Sequence, residues 1–308
     1  MTGGRLVSLD IAEQPAVLDA ALAGNGGGLV RGRAVLAGAR VVRLLAIGSS
    51  RHAAGYGASV LDVLGGVPAT VLPAPGAAVA QPGFGPDTPV IVLSQSGSTP
   101  SLVEAAQSAR AAGAPIISIT NVPGSPLESM ADVALQCRAG EERVVAATKS
   151  VTAQAVLLRA LAVPFDVRPL IRAVVTALAI DVDPFVVGEP PDAVVCGGVG
   201  AEWVAEEIAL KLAEMAGRSV SAEPLVEHLH GPVAAAGPVL AFVDPADPNA
   251  PALGGDGVVR VPVPSTGDAS LDAIVTLVMG QRVALAWARA LGEDPDAPRG
   301  LQKVTATR

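Results

Sequence analysis

Residues 89–100 read Pro-Val-Ile-Val-Leu-Ser-Gln-Ser-Gly-Ser-Thr-Pro. The opening half is a short unbroken apolar run, the pattern of a strand buried on both faces of a parallel sheet. The closing half sets three serines, a glutamine and a threonine around Gly97, which lets the backbone turn tightly. Pro100 suits the first turn of a helix, with Thr99 as its cap. The stretch therefore reads as strand, polar turn and helix. A helix start favours an anion through its free N–H groups, so a phosphate fits residues 94–99. A plainer reading also fits, in which the turn only caps the helix. The loop is not of the Walker A type, because no Gly-Lys-Ser/Thr follows.

The same unit recurs on either side. Val41 to Ile47 is apolar except for Arg43 and is bounded by Gly48-Ser49-Ser50. Strands are expected at 41–47, 67–72, 89–94, 115–120 and 132–137, with helices at 51–64, 99–112 and 147–161. Residues 73–86, rich in Pro and Gly, read as loop. Val163-Pro164-Phe165-Asp166 marks a boundary, followed by a linking helix over 168–180. The pattern then restarts. Strands fall at 193–197, from Val220, at 239–243 and at 258–261, with helices at 203–215 and 268–291. The expectation is an α/β protein of two domains, 1–165 and 166–308, each a flavodoxin-like parallel sheet with helices on both faces. In such sheets the strand C-termini line the ligand crevice. Two hydroxyl-rich turns there, Gly48-Ser49-Ser50 and Ser94 to Thr99, suit one polyhydroxylated, phosphorylated ligand.

Composition sets limits on this reading. A length of 308 residues suits two domains of about 150 each. Half the residues are apolar but only 2% aromatic, so Ala, Val and Leu must fill the cores. A net charge of −8 argues against a nucleic-acid binder, which would show a basic face. It leaves room for a small anion, because a local site can be positive on an acidic protein. Cys137 and Cys196 each end a strand-like segment and read as buried free thiols. No Cys/His ligand cluster exists, so no metal is expected. No signal peptide is evident, and no apolar run reaches the ~18 residues of a membrane span. A cytoplasmic protein is expected.

Further motifs carry a resemblance to a known family. Ile11-Ala12-Glu13-Gln14-Pro15, Gly48-Ser49-Ser50, Ser94 to Thr99, and Glu142 through Lys149 follow one another in the first half. Glu207-Ile208-Ala209-Leu210-Lys211-Leu212-Ala213-Glu214, His230-Gly231-Pro232 and Pro298-Arg299-Gly300-Leu301-Gln302-Lys303 follow in the second. Together they resemble the sugar isomerase (SIS) domain family, and within it the isomerase halves of the glucosamine-6-phosphate synthases. The resemblance covers nearly the whole chain. It implies that Ser94, Gln95, Ser96 and Thr99 hold the phosphate. It also implies that Ser49, Ser50, Val145 and Ala147 contact the sugar, although the family more often has Ser at the place of Ala147.

Glu207, Lys211 and Glu214 stand at i, i+4 and i+7 and so share one helical face. By spacing alone this is a solvated charged face with an i,i+4 pair. The resemblance implies a catalytic helix instead. Aldose–ketose interconversion moves a proton between adjacent carbons and needs a base that reaches both. Glu214 is implied for that role, with Lys211 neutralising charge on an enediol-like intermediate. His230 is implied in ring opening, a task suited to an imidazole that titrates near neutral pH. His228 reads equally as a surface histidine and receives no role. Lys303 is implied either as a Schiff-base lysine or as a holder of the open chain. In the family the His-Gly-Pro turn reaches the neighbouring subunit's site, which implies a homodimer with shared active sites.

The resemblance stops short of the synthases' glutaminase domain, for which this chain has no counterpart: Thr2 follows Met1, and the first cysteine is Cys137. The leading expectation is therefore an isomerising deaminase, converting an amino-sugar phosphate such as glucosamine 6-phosphate to fructose 6-phosphate and ammonia without a cofactor. Two alternatives stand beside it. One is a deglycase or a synthase-like aminotransferase isomerase subunit. The other is a non-catalytic sugar-phosphate-binding regulator, although no basic helix-turn-helix segment is evident.

Overall fold

The computed structural model describes residues 3–72, 83–234, 237–298 and 300. The chain packs into two compact units, neither a single run of sequence. The first comprises Ala16–Glu141 and Lys149–Asp166; the second comprises the described residues of Met1–Pro15, Glu142–Thr148 and Val167–Lys303.

Three helices precede the first strand: α1 (Arg5–Ala12), α2 (Gln14–Gly24) and α3 (Gly26–Leu36). In the first unit there follow β1 (Val42–Leu45), α4 (Ser49–Val63), β2 (Ala69–Val71), β3 (Val90–Ser94), α5 (Pro100–Ala111), β4 (Ile116–Thr120), α6 (Pro126–Met130), β5 (Val133–Gln136) and α7 (Lys149–Ala162). The strands form one sheet in the order β2-β1-β3-β4-β5, and every pairing is parallel. β3 and β4 are buried at every position, which requires cover on both faces of the sheet. Small side chains on α5, Ala105, Ala106 and Ala109, let that helix lie close on Val90, Val92 and Ile116.

The second unit continues with α8 (Val167–Ala179), β6 (Ala193–Cys196), α9 (Ala201–Ala216), β7 (Ser221–Pro224), α10 (Leu225–Leu229), β8 (Val239–Phe242), β9 (Val258–Arg260) and α11 (Ala269–Ala290). Its sheet runs β7-β6-β8-β9, again all parallel. α11 is long and apolar enough to cross a membrane by length and composition. In this fold, however, 83% of its apolar window is buried, and it packs against α8 and α9 as a core helix. Both cysteines are buried, and no disulfide joins them.

Glycine explains two close helix packings. In α3 a methyl group at Gly28 would come within 2.7 Å of Leu135, and one at Gly32 within 2.5 Å of Leu161. Glycine at 28 and 32 thus lets α3 approach β5 and α7. In the second unit, a methyl at Gly280 of α11 would lie 2.3 Å from Cγ1 and 3.1 Å from Cγ2 of Ile208 on α9. Those are inner atoms of a stiff, buried side chain and cannot swing aside.

Two substitutions test this account by urea denaturation. Gly280→Ala gains up to about 1 kcal/mol of helix propensity. It loses about 1–3 kcal/mol to overpacking, so net destabilisation is expected. Gly27→Ala, whose added methyl would meet only Arg31 at 3.6 Å, is expected to stabilise by about 0.5–1 kcal/mol. Equal effects at the two sites would refute the packing argument.

Candidate active site

In the first unit β1 and β3 are neighbours, and the chain leaves them in opposite directions across the sheet, β1 toward β2 and β3 toward β4. This is the topological switch point, where a doubly wound sheet opens a crevice at its strand C-termini. The turns that emerge there are the two rich in hydroxyls. Gly48, at φ +60°, ends the first turn, and Ser49 and Ser50 begin α4 half-buried.

The second turn is built around Ser94. Its Oγ accepts from the Gly97 N–H at 3.1 Å and lies 3.4 Å from Ser96 Oγ and 3.3 Å from Thr99 Oγ1. Gly97 sits at φ +64°, and a methyl there would lie 2.1 Å from Ser125 Oγ, so no other residue fits. The Gln95 and Gly97 carbonyls accept from the Asn121 and Leu127 N–H groups, which fixes the loop's far side. Thr99 holds the N-cap position of α5 but makes no side-chain cap bond. Its hydroxyl turns toward Ser94 instead. Thr99 therefore does not cap α5 with its side chain. Ser101 was missed by the sequence reading: its Oγ, in the first turn of α5, is enclosed and finds no hydrogen-bond partner among the described residues.

In the second unit the charged face of α9 is not solvated. Glu207 is 1% exposed, Lys211 wholly buried, and Glu214 16% exposed in its side chain. Lys211 Nζ lies 3.3 Å from Glu207 Oε1 and donates to Glu214 Oε2. Burial pulls the Lys211 pKa down, but the two carboxylates outweigh it and hold the ammonium above its ordinary value of 10.5. Glu214 is the more accessible carboxylate of the trio.

Residues 142–148 form a braced loop in this unit. Buried Glu142 accepts from the Thr148 N–H at 2.8 Å and from its hydroxyl at 3.0 Å. The Thr148 carbonyl accepts from Gln281 of α11, and Gln281 accepts from Gln14. Arg143 is tied to Asp10 and, at 2.6 Å, to Glu13. Val145 and Ala147 are half-buried within this loop.

His230 follows α10 directly, and its side chain is exposed, as are residues 231–234. His228, read as a possible surface residue, is in fact 1% exposed, with Nδ1 at 2.5 Å from Glu223 Oε2. The pairing crosses from α10 back to β7, a relation that periodicity could not reveal. Lys303 lies outside the described residues. Thus Ser49, Ser50, Ser94, Gln95, Ser96 and Thr99 all lie at or just beyond the C-termini of the neighbouring strands β1 and β3 of the first unit. Glu207, Lys211 and Glu214 gather on one helix of the second.

The second unit has a crevice of its own at the ends of β6 and β8. It is a cleft of about 290 Å³ lined by Gly197, Gly198, Val243, Asp244, Asp247 and Asp272, among others. Asp272 there accepts from the Thr266 N–H and hydroxyl and from Ser265.

Residues 35–164 match the SIS domain. Glutamine–fructose-6-phosphate aminotransferase (isomerizing) of Aeropyrum pernix is 30% identical over 96% of this chain and 56% of its own length, so the chain spans about half of that relative. Among solved structures, the C-terminal domain of glucosamine-fructose-6-phosphate aminotransferase from Francisella tularensis superposes with a TM-score of 0.78. It is 22% identical over 94% of this chain and 96% of that one. Glucosamine-6-phosphate deaminase from Thermotoga maritima gives a TM-score of 0.75 at 20% identity over 96% and 98%. The last two similarities are of fold.

The buried trio makes its own prediction. Lys211→Met leaves Glu207 buried without its cation and is expected to cost about 3–5 kcal/mol in chemical denaturation. Because the Lys211 pKa is raised, the trio's stabilisation is intact below pH 10.5 and is lost as pH climbs through the folded value. An alkaline unfolding limb should therefore appear above pH 10.5 in the native chain and flatten in Lys211→Met.

Proposed function

Because the chain carries an SIS domain and is homologous to the isomerase part of glutamine–fructose-6-phosphate aminotransferase, we propose that it is an aldose–ketose isomerase that deaminates an amino-sugar phosphate. Glucosamine 6-phosphate going to fructose 6-phosphate and ammonia is the reaction proposed. The observation that carries the reading is the Glu207–Lys211–Glu214 trio. It is a carboxylate at the rim of a helix, held in place by a buried cation that stays charged.

In this reading the hydroxyl turns of residues 48–50 and 94–99 take the phosphate end, helped by the N-termini of α4 and α5. His230 moves a proton from the anomeric hydroxyl to the ring oxygen, which opens the ring. Glu214 removes the C2 proton and returns it to C1. Lys211 balances the negative charge that develops between the two steps. The product is an imine at C2, which water hydrolyses to the ketone and ammonia. Lys303 is proposed to hold the open chain, and Val145 and Ala147 to contact the sugar.

Nitrogen is proposed to leave as free ammonia. Cys137 and Cys196 are both fully buried, and burial pushes the Cys196 thiol far above its ordinary range, so neither offers the accessible thiolate that glutamine hydrolysis needs. The exposed turn of residues 230–234, with Val226 and Val233 exposed beside it, supports a homodimer in which this turn completes a neighbouring copy's site. The same reading places the protein in the cytoplasm, where free thiols persist.

A coupled assay of ammonia and fructose 6-phosphate from glucosamine 6-phosphate tests the proposal. Both products are expected in equal amounts, and Glu214→Gln is expected to lower kcat by at least about a hundredfold. A folded protein that binds hexosamine phosphates yet turns none of them over would overturn it.

A further inference from the structure

His228 and Glu223 belong to no step above, yet they are among the most constrained polar residues of the second unit. Glu223 lies on β7, the edge strand beside β6. His228 lies on α10, a helix of five residues, and is buried. A carboxylate oxygen can only accept, so the hydrogen of the 2.5 Å contact belongs to His228 Nδ1. Nε2 is enclosed and finds no hydrogen-bond partner among the described residues. A lone pair left unmet there costs less than an unmet N–H, which favours the Nδ1–H tautomer.

A single helical turn does not hold its own direction, because helix nucleation is unfavourable without tertiary anchors. α10 has two buried anchors. Leu225 enters the core with Ala193, Val195 and Ala241, and His228 is tied to Glu223. Val226 and Glu227 face solvent. Two residues after His228 the chain reaches His230, whose N–H bonds the Glu227 carbonyl and whose side chain is exposed. Leu225 fixes where α10 starts, and His228 fixes how it is rolled at its end. An apolar residue at 228 would fill the space but give no roll-specific contact.

We propose that Glu223 and His228 form a positioning pair that sets the orientation of the His230-Gly231-Pro232 turn. Its consequence for turnover rests on the ring-opening role proposed for His230; its structural part does not. The pair acts through His230, and neither member touches substrate in this scheme.

The chain has three histidines, His52, His228 and His230, so histidine-selective ¹⁵N labelling of the full chain resolves each imidazole by NMR. In the native protein His228 is expected as the Nδ1–H tautomer. The His230 signals are expected to shift or multiply in His228→Phe and in Glu223→Gln, while His52 stays put as a reporter of intact folding. His228→Asn, whose amide nitrogen stands near the place of Nδ1, is expected to restore them. In parallel, kcat for glucosamine 6-phosphate should fall about tenfold or more in His228→Phe, with KM within about twofold, and recover in His228→Asn. His230 signals unmoved in both disrupting variants would overturn the pair, as would unchanged kcat in an active enzyme. If the native chain has no turnover, the functional reading fails, and the His230 signals alone decide the positioning role. Should His228→Phe not fold, Glu223→Gln carries the same comparison.

Discussion

A buried ammonium is the constraint around which the second unit is arranged. Lys211 has no solvent exposure, and desolvation alone would drive it neutral. It remains charged because Glu207 and Glu214 stand one turn away on either side. All three side chains belong to α9, so the trio fixes their positions on that helix rather than the helix against its neighbours. The close approach of Gly280 to Ile208 holds a flank of the same helix against α11. Such a trio is a poor device for stability, since well-packed apolar residues in place of a buried ion pair are often neutral or better. This chain fills its cores almost entirely with Ala, Val, Leu and Ile. What the three charged positions add is a partly exposed carboxylate, Glu214, held beside a buried ammonium.

The parallel strands were legible because strands covered on both faces read as unbroken apolar runs. Val90–Ser94 and Ile116–Thr120 are buried throughout and were located to within a residue. The N-terminal helices were not legible. Four glycines at 24 and 26–28 give no helical period to read, and Gly28 and Gly32 are there because Leu135 and Leu161 leave no room for a side chain. Small helices such as Pro126–Met130 and Leu225–Leu229 are too short to show a period. At the site, spacing put Glu207, Lys211 and Glu214 on one face but could not tell a solvated face from a buried one, because burial depends on which distant segments pack over α9. Thr99 was placed at its N-cap position, yet its hydroxyl bonds Ser94, a choice made by the loop's curvature. His228 was illegible for the same kind of reason, since its partner lies on a strand rather than on its own helix.

The two sheets are alike in construction, and the difference between their crevices decides where an anion can sit. Each opens at the strand ends on either side of a topological switch, beside helix N-termini that attract negative charge. In the first unit the turns of residues 48–50 and 94–99 bring hydroxyls, an amide side chain and backbone N–H groups, and no carboxylate. In the second the corresponding turns bring Gly197-Gly198 and Asp244-Pro245-Ala246-Asp247, with Asp272 on the wall. A phosphate dianion about 5 Å from one carboxylate is opposed by roughly 6–7 kcal/mol at an effective dielectric of 20. That exceeds the ~0.3–2 kcal/mol that a helix terminus returns. The helix dipoles are similar in the two units, so the side chains in the turns set the outcome. The turns of the first unit therefore present neutral donors to an anion, and those of the second present carboxylates.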